Sequence, residues 1–205
     1  MTDPAPAPSK RRSTERRAKI LDAAARLFAD RGFHGVSIDD LGRAVGTSGP
    51  ALYRHFRGKE AVLAEMLLDI SERLHEEGER LAASASSSEA ALDLLLRRHI
   101  DFALDEPALI TVQWRELGNV PEPERHEIRR LQRMYVERWV EVLTRLRPGE
   151  HPVLLRACVQ AAFGLLNSTP YSAAELSRAE MVGLLYAMAR SALLSGPAMP
   201  ENGGA

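Results

Sequence analysis

The chain is short of the residues that would open several familiar readings. It has one cysteine, Cys158, among 205 residues. A single thiol cannot close an intrachain disulfide, and no Cys/His cluster has the spacing of a zinc site, so a reducing cytoplasm is the expected setting. No apolar run approaches the length of a membrane span. The Pro- and Ala-rich stretch Met1 to Ser9 lacks the continuous apolar core of a signal peptide. Alternating β-branched runs are also missing, which argues against a sheet. There is no Gly-x-Ser-x-Gly elbow, no phosphate-cradling glycine loop and no His-Glu-x-x-His pair, and the six histidines are scattered. Nothing therefore points to an enzyme, a cofactor or a metal. Cys158 sits mid-helix among apolar neighbours and reads as buried packing, not as a nucleophile.

What the sequence does contain is helical. Hydrophobic residues make up 45% and charged residues 27%, the balance of a folded globular protein. The net charge of −1 hides a polarity: residues 1–60 hold 12 Lys/Arg against 7 Asp/Glu, and the remainder holds 15 against 21. Charge divided in this way suggests that only one end meets a polyanion, although a solvated basic face would look the same.

Ala, Leu, Arg and Glu at helical spacing predict an all-α protein of about nine helices. Residues 1–12 are expected to be a flexible arm ending in the basic run Lys10-Arg11-Arg12, which either follows a DNA groove or serves as a solubilising tail. The first helix is expected from Ser13 to Asp30, with Ile20, Ala24, Leu27 and Phe28 as its apolar stripe and Gly32 as its left-handed stop. Ser37 with Asp40 resembles a capping box that opens a second helix bearing Ile38, Leu41 and Val45. Gly46 breaks that helix. Ser48 is placed to cap a very short third one with Pro50 in its first turn. A fourth helix opens at Lys59, and further helices follow over 89–104 and 107–117, then a long one from the break at Pro121-Glu122-Pro123 to near Pro148-Gly149, and two more over 152–167 and 174–194, before a loose tail over 196–205.

Two short helices meeting at Gly46-Thr47 form a helix-turn-helix. Gly46 tolerates the positive φ of the bend, while Leu41, Val45, Leu52 and Phe56 lock the pair at a steep angle so that the second helix can enter a major groove. The segment Thr47-Ser-Gly-Pro-Ala-Leu-Tyr-Arg-His-Phe-Arg-Gly-Lys-Glu-Ala-Val-Leu63 resembles the signature of the TetR/AcrR family of transcriptional regulators, and Ile20 to Gly46 is similar to that family's first two helices. The resemblance covers the first quarter to third of the chain. It implies that Thr47, Ser48, Gly49 and Pro50 lead the recognition helix, that Tyr53 and His55 contact phosphate and base, and that Lys59 grips a phosphate together with the helix N-terminus behind it. Ser37 and Arg43 are expected on the DNA backbone, or else as a cap and a solvated cation.

For the remainder the resemblance implies an effector pocket and a homodimer. Phe102, Trp114, Leu117, Met134, Tyr135, Trp139, Phe163 and Leu166 are candidate lining residues, with Arg115 and Asn167 to orient a ligand; ordinary core packing is the competing reading. Arg97-Arg98 and Arg129-Arg130 are candidates for an anionic effector such as an acyl-CoA. Leu154, Cys158, Ala161, Leu165, Leu184, Leu185 and Met188 are candidates for a four-helix dimer interface. The expected organisation is an N-terminal three-helix DNA-binding module over 13–58, then a larger helical effector-binding and dimerisation domain over 59–195. The expected function is a sequence-specific, effector-controlled repressor acting on a palindromic operator. The alternative is a non-catalytic helical interaction module with a basic surface.

Overall fold

The computed structural model describes residues 8–172 and 176–195. Residues 1–7 of the expected arm and the expected loose tail over 196–205 lie outside them. The described residues form helices joined by turns, with no strand among them. In order these are α1 (Pro8–Arg31), α2 (Ile38–Ala44), α3 (Gly49–Leu52), α4 (Lys59–Ser84), α5 (Ser88–Asp105), α6 (Pro107–Glu116), α7 (Glu122–Leu146), α8 (Pro152–Leu166), the single turn α9 (Thr169–Ser172) and α10 (Arg178–Leu194), with a 3-10 turn Leu117–Asn119 after α6. The all-α reading holds, with α9 added as a turn that the sequence pattern did not separate from its neighbours.

Helix ends follow local chemistry. Helix α1 starts earlier than Ser13 and takes in Lys10-Arg11-Arg12. Pro8 is compatible with this start, since a first-turn residue has no intrahelical use for its N–H, and Lys and Arg are good helix formers. Gly32 closes α1 at φ 72°, and its N–H bonds the Phe28 carbonyl at 3.0 Å. Ser177 caps α10 with a full capping box to Glu180, so that helix begins at Arg178.

The chain divides into two units. The first contains the residues up to Asp69 and Thr111–His126; the second contains Ile70–Ile110 and the residues from Glu127 onward. The first unit is larger than 13–58 because the start of α4 carries Lys59 and Glu65, whose partners lie on α1 and in the turn after it. Its core is Ile20, Ala24, Phe28, Val36, Leu41, Leu52, Phe56, Val62 and Leu63, all buried. In the second unit α10 packs against α5 and α8, and α5 also meets α8. Leu92, Leu96, Ile100, Trp139, Leu155, Val159, Leu185 and Leu193 are buried there. No helix among the described residues is long and apolar enough to cross a membrane.

Candidate DNA interface and effector core

The recognition element is built on a glycine turn. The Ser37 hydroxyl accepts from the Asp40 amide at 3.1 Å, and the Asp40 carboxylate accepts from the Ser37 amide at 2.9 Å, which starts α2. The Ser37 hydroxyl also donates to the Asp40 carboxylate, at 2.5 Å, and this bond, with the one from the Ser37 amide, holds the Asp40 carboxyl below the usual carboxylate range. Arg43 donates to the same carboxylate at 2.7 Å. At the other end Gly46 takes φ 66°, and Thr47 N–H reaches back to the Gly42 carbonyl at 2.9 Å. The chain can turn this tightly only because Gly42 has no side chain: a Cβ there would lie 2.9 Å from the Thr47 carbonyl oxygen and 3.0 Å from the Gly49 nitrogen. Gly42 was not singled out from the sequence, but a glycine in mid-helix weakens that helix and is itself a sign of close backbone approach.

Helix α3 is a single turn. Its C-terminal end is fixed by His55 and Phe56 amides that both bond the Leu52 carbonyl, at 2.8 and 2.9 Å. Leu52 and Phe56 face the core. Tyr53 is 57% exposed, and Ser48 and Pro50 are exposed beside it. Ser48 occupies the N-cap position, yet its hydroxyl makes no capping bond. Gly49 is buried, and a Cβ there would meet the Asp39 carboxylate, so its part is to let α3 lie close to α2. His55 is half-buried. Lys59 is more occupied than a free phosphate grip would be: its ammonium donates to the Phe33 and Val36 carbonyls, both at 3.0 Å, and sits 4.4 Å from the centre of the Phe33 ring. Two of its three N–H donors thereby tie α4 to the turn before α2.

The second unit holds a residue that sequence reasoning missed. His99 on α5 is buried at the centre of an aromatic cluster formed by Phe102, Tyr135, Trp139 and Phe163. Its ring stacks on Phe163 at 4.5 Å. The bonding pattern that serves every partner has Nε2–H donating to Asn167 Oδ1 at 3.1 Å and Nδ1 accepting from the Tyr135 hydroxyl at 3.3 Å. Burial lowers the His99 pKa to about 4 and pushes the Tyr135 phenol up, so both groups are neutral at pH 7. Gly78 on α4 is where the Tyr135 ring packs, since a Cβ there would stand 2.7 Å from Cε2. Leu166 is buried on α8.

A pH dependence follows from this arrangement. The folded-state value lies below the ordinary 6.5 of histidine, so the unfolded chain binds the extra proton first as pH falls. The stability contributed by neutral His99 is complete above about pH 6.5 and is lost between there and about pH 4, at about 1.4 kcal/mol per pH unit. Thermal melts across that window should show a His99→Gln variant losing less of its melting temperature than the parent protein. Equal slopes would show that His99 does not titrate there.

Other expected pocket residues lie elsewhere. Trp114 is 87% exposed and Arg115 donates to the Ala29 carbonyl at 3.2 Å, so neither joins the His99 cluster. Both belong, with half-buried Leu117, to the first unit. Met134 lines an open groove of about 360 Å³ among Arg130, Arg133, Glu79 and Glu137. The paired arginines are largely engaged within the protein. Arg98 pairs with Glu77, the Arg97 guanidinium lies 4.9 Å from the centre of the Tyr186 ring, and Arg130 bonds Glu127 at 2.8 and 2.6 Å. On the expected dimer face Leu184 and Met188 are 45% and 49% exposed, Ala161 is exposed, and Leu154, Cys158 and Leu165 are half-buried. Leu185 is the exception. At 3% exposure it belongs to the chain's own core, because on α10 it falls on the same stripe as Met181 and Ala189.

Comparison with known proteins agrees with this architecture. Residues 20–66 match the family described as bacterial regulatory proteins, tetR family, and residues 85–171 match the tetracyclin repressor-like C-terminal domain. Over 97% of this chain and 99% of the other, the sequence is 27% identical to the HTH-type transcriptional repressor KstR2 of Rhodococcus jostii (strain RHA1). A TetR-family transcriptional regulator from Bordetella parapertussis 12822 shares the fold with a TM-score of 0.76 at 23% identity, over 89% of this chain and 97% of that one. The transcriptional regulator FadR of Bacillus subtilis, solved in complex with stearoyl-CoA, does so with a TM-score of 0.71 at 19% identity, over 88% and 98%. Together the two matched regions take in the helix-turn-helix and most of the helices that follow it, and the chain belongs to the TetR family of bacterial DNA-binding transcriptional regulators.

Proposed function

We propose that this regulator is a cytoplasmic repressor that binds a palindromic operator as a homodimer and leaves it when a small apolar effector binds. The observation that carries the DNA reading is the one-turn α3, with Tyr53 exposed at its C-terminal end and, at its front edge, a Ser48 hydroxyl that makes no capping bond. Thr47, Ser48 and Pro50 meet the groove, with Gly49 holding the turn close behind them. Tyr53 and His55 contact the backbone and a base edge, and the third N–H of Lys59 reaches a phosphate. Ser37 and Arg43 contribute at the start and end of α2, in addition to their bonds with Asp40.

For the effector the supporting feature is the His99 cluster with Phe102, Tyr135, Trp139, Phe163, Leu166 and Asn167. Its hydrogen-bonding groups are neutral at pH 7. It therefore suits an apolar ligand with a neutral carbonyl, such as an acyl thioester, better than a free carboxylate, since the nearby cation, Arg98, is already paired with Glu77. FadR, solved in complex with stearoyl-CoA, is a relative in fold with a bound ligand of that chemistry.

The test is a titration against a duplex selected from a random pool, at two salt concentrations. A specific regulator keeps a large preference for its selected site as salt rises, whereas an interaction module with a basic face does not. The double variant Tyr53→Ala, Lys59→Ala should lose operator affinity by at least about tenfold while remaining folded. Stearoyl-CoA should weaken the parent complex and stearate should not. Unchanged occupancy of the operator by the double variant would remove the DNA assignment, and indifference to every acyl thioester would remove the effector class.

A further inference from the structure

Helix α3 is too short to hold its own shape. A single turn fixes several backbone dihedrals for very few hydrogen bonds, and its last carbonyls have no partner within the helix. The turn that follows it, Tyr53 to His55, is held from outside: the His55 carbonyl accepts from Arg17 Nη1 at 3.0 Å. The same guanidinium lies 4.5 Å from the centre of the Phe56 ring, and its remaining edge, Nε and Nη2, forms a two-pronged pair with the Glu65 carboxylate. Arg17 stands on α1 and Glu65 on α4. Three separate segments, α1, the end of the recognition turn and the second turn of α4, are thus held by one planar cation, whose fork geometry lysine cannot reproduce.

We propose that Arg17, held in place by Glu65, is the positioning residue of the recognition helix: it anchors the turn that follows α3 and so sets the angle at which Thr47 to Tyr53 are presented. It touches no DNA itself. This rests on the DNA-binding reading above and adds to it a residue that determines specificity from behind the interface. Glu65 is part of the device, since without the carboxylate the guanidinium is free to leave the His55 carbonyl.

The proposal predicts a sign that simple electrostatics does not. Glu65→Gln removes a negative charge from the DNA-binding unit, so charge alone would tighten every complex with DNA. Loss of positioning instead weakens the selected operator by roughly tenfold or more, leaves affinity for unrelated duplex unchanged or slightly higher, and leaves the salt slope unchanged, because no phosphate contact is lost. Arg17→Ala should also lower operator preference, and Arg17→Lys should restore it only in part.

The full-length parent, Glu65→Gln, Arg17→Ala and Arg17→Lys are titrated with operator and with scrambled duplex. All titrations are made well below each protein's melting temperature, with helicity checked by circular dichroism. A fall in operator preference at an unchanged salt slope supports the proposal. Three results overturn it: tighter operator binding by Glu65→Gln; variants that lose only melting temperature; or a salt slope lowered by about one in Arg17→Ala, the mark of a direct phosphate contact. A parent protein with no preferred duplex would overturn the DNA reading itself and this proposal with it.

Discussion

A Gly42→Val variant is expected to lose specific operator binding while keeping most of its helicity. The three atoms nearest to an added Cβ, the Thr47 carbonyl oxygen at 2.9 Å, the Gly49 nitrogen at 3.0 Å and the Ser48 carbonyl carbon at 3.1 Å, all belong to the backbone that leads into α3. Backbone cannot swing away as a side chain can, so the turn itself must move. Such overpacking costs about 1–3 kcal/mol, which corresponds to roughly 5–150-fold in operator affinity if the displaced turn must be restored on DNA. The Gly49 site gives the contrast. There the obstacle is the end of the exposed Asp39 side chain, which can rotate, so Gly49→Ala should cost less, and adding Asp39→Ala should recover part of the loss. Operator titration with melting temperatures decides between these. A Gly42→Val protein with parental affinity would show that the α2–α3 approach is looser than these distances require.

These two glycines also show what the sequence disclosed and what it withheld. The turn at Gly46, the Ser37–Asp40 cap and the stop at Gly32 were legible because each depends on residues within a few positions of one another. Helix α10 carries an equally local signal, Ser177 with Glu180, that places its start at Arg178. What could not be read were partners brought together by folding. Arg17 and Glu65 are 48 positions apart, and His99 and Asn167 are 68 apart. Nothing in the sequence near His99 sets it apart from the other histidines. Trp114 failed for a related reason: an aromatic at helical spacing on a short helix has no local feature that tells the buried face from the open one. Tyr53 is exposed, where periodicity alone would have given it to the core; only the resemblance supplied a role that needs it outside.

Charging the outer face of α10 should separate dimerisation from folding. Leu184 and Met188 lie one helical turn apart and are exposed on α10, which packs against α8, where Val153 and Ala161 are also exposed. Large apolar side chains left in water on two adjacent helices are what a second copy of the chain would cover, and a two-fold axis would bring the same patch of each protomer together. Leu184→Asp with Met188→Asp should therefore give a folded monomer, with a melting temperature that no longer rises with protein concentration. A one-turn recognition helix reads few bases, so discrimination depends on two half-sites held at a fixed separation. The monomer should lose at least about a hundredfold in operator affinity while its binding to unrelated duplex changes little. Leu185→Ala is the control on the same helix. Its side chain is buried in the chain's own core, so it should cost about 2–5 kcal/mol of stability without making the protein monomeric at temperatures where it stays folded. Sedimentation velocity alongside the operator titration reads both effects, and a double-Asp protein that still sediments as a dimer would place the subunit interface on another face.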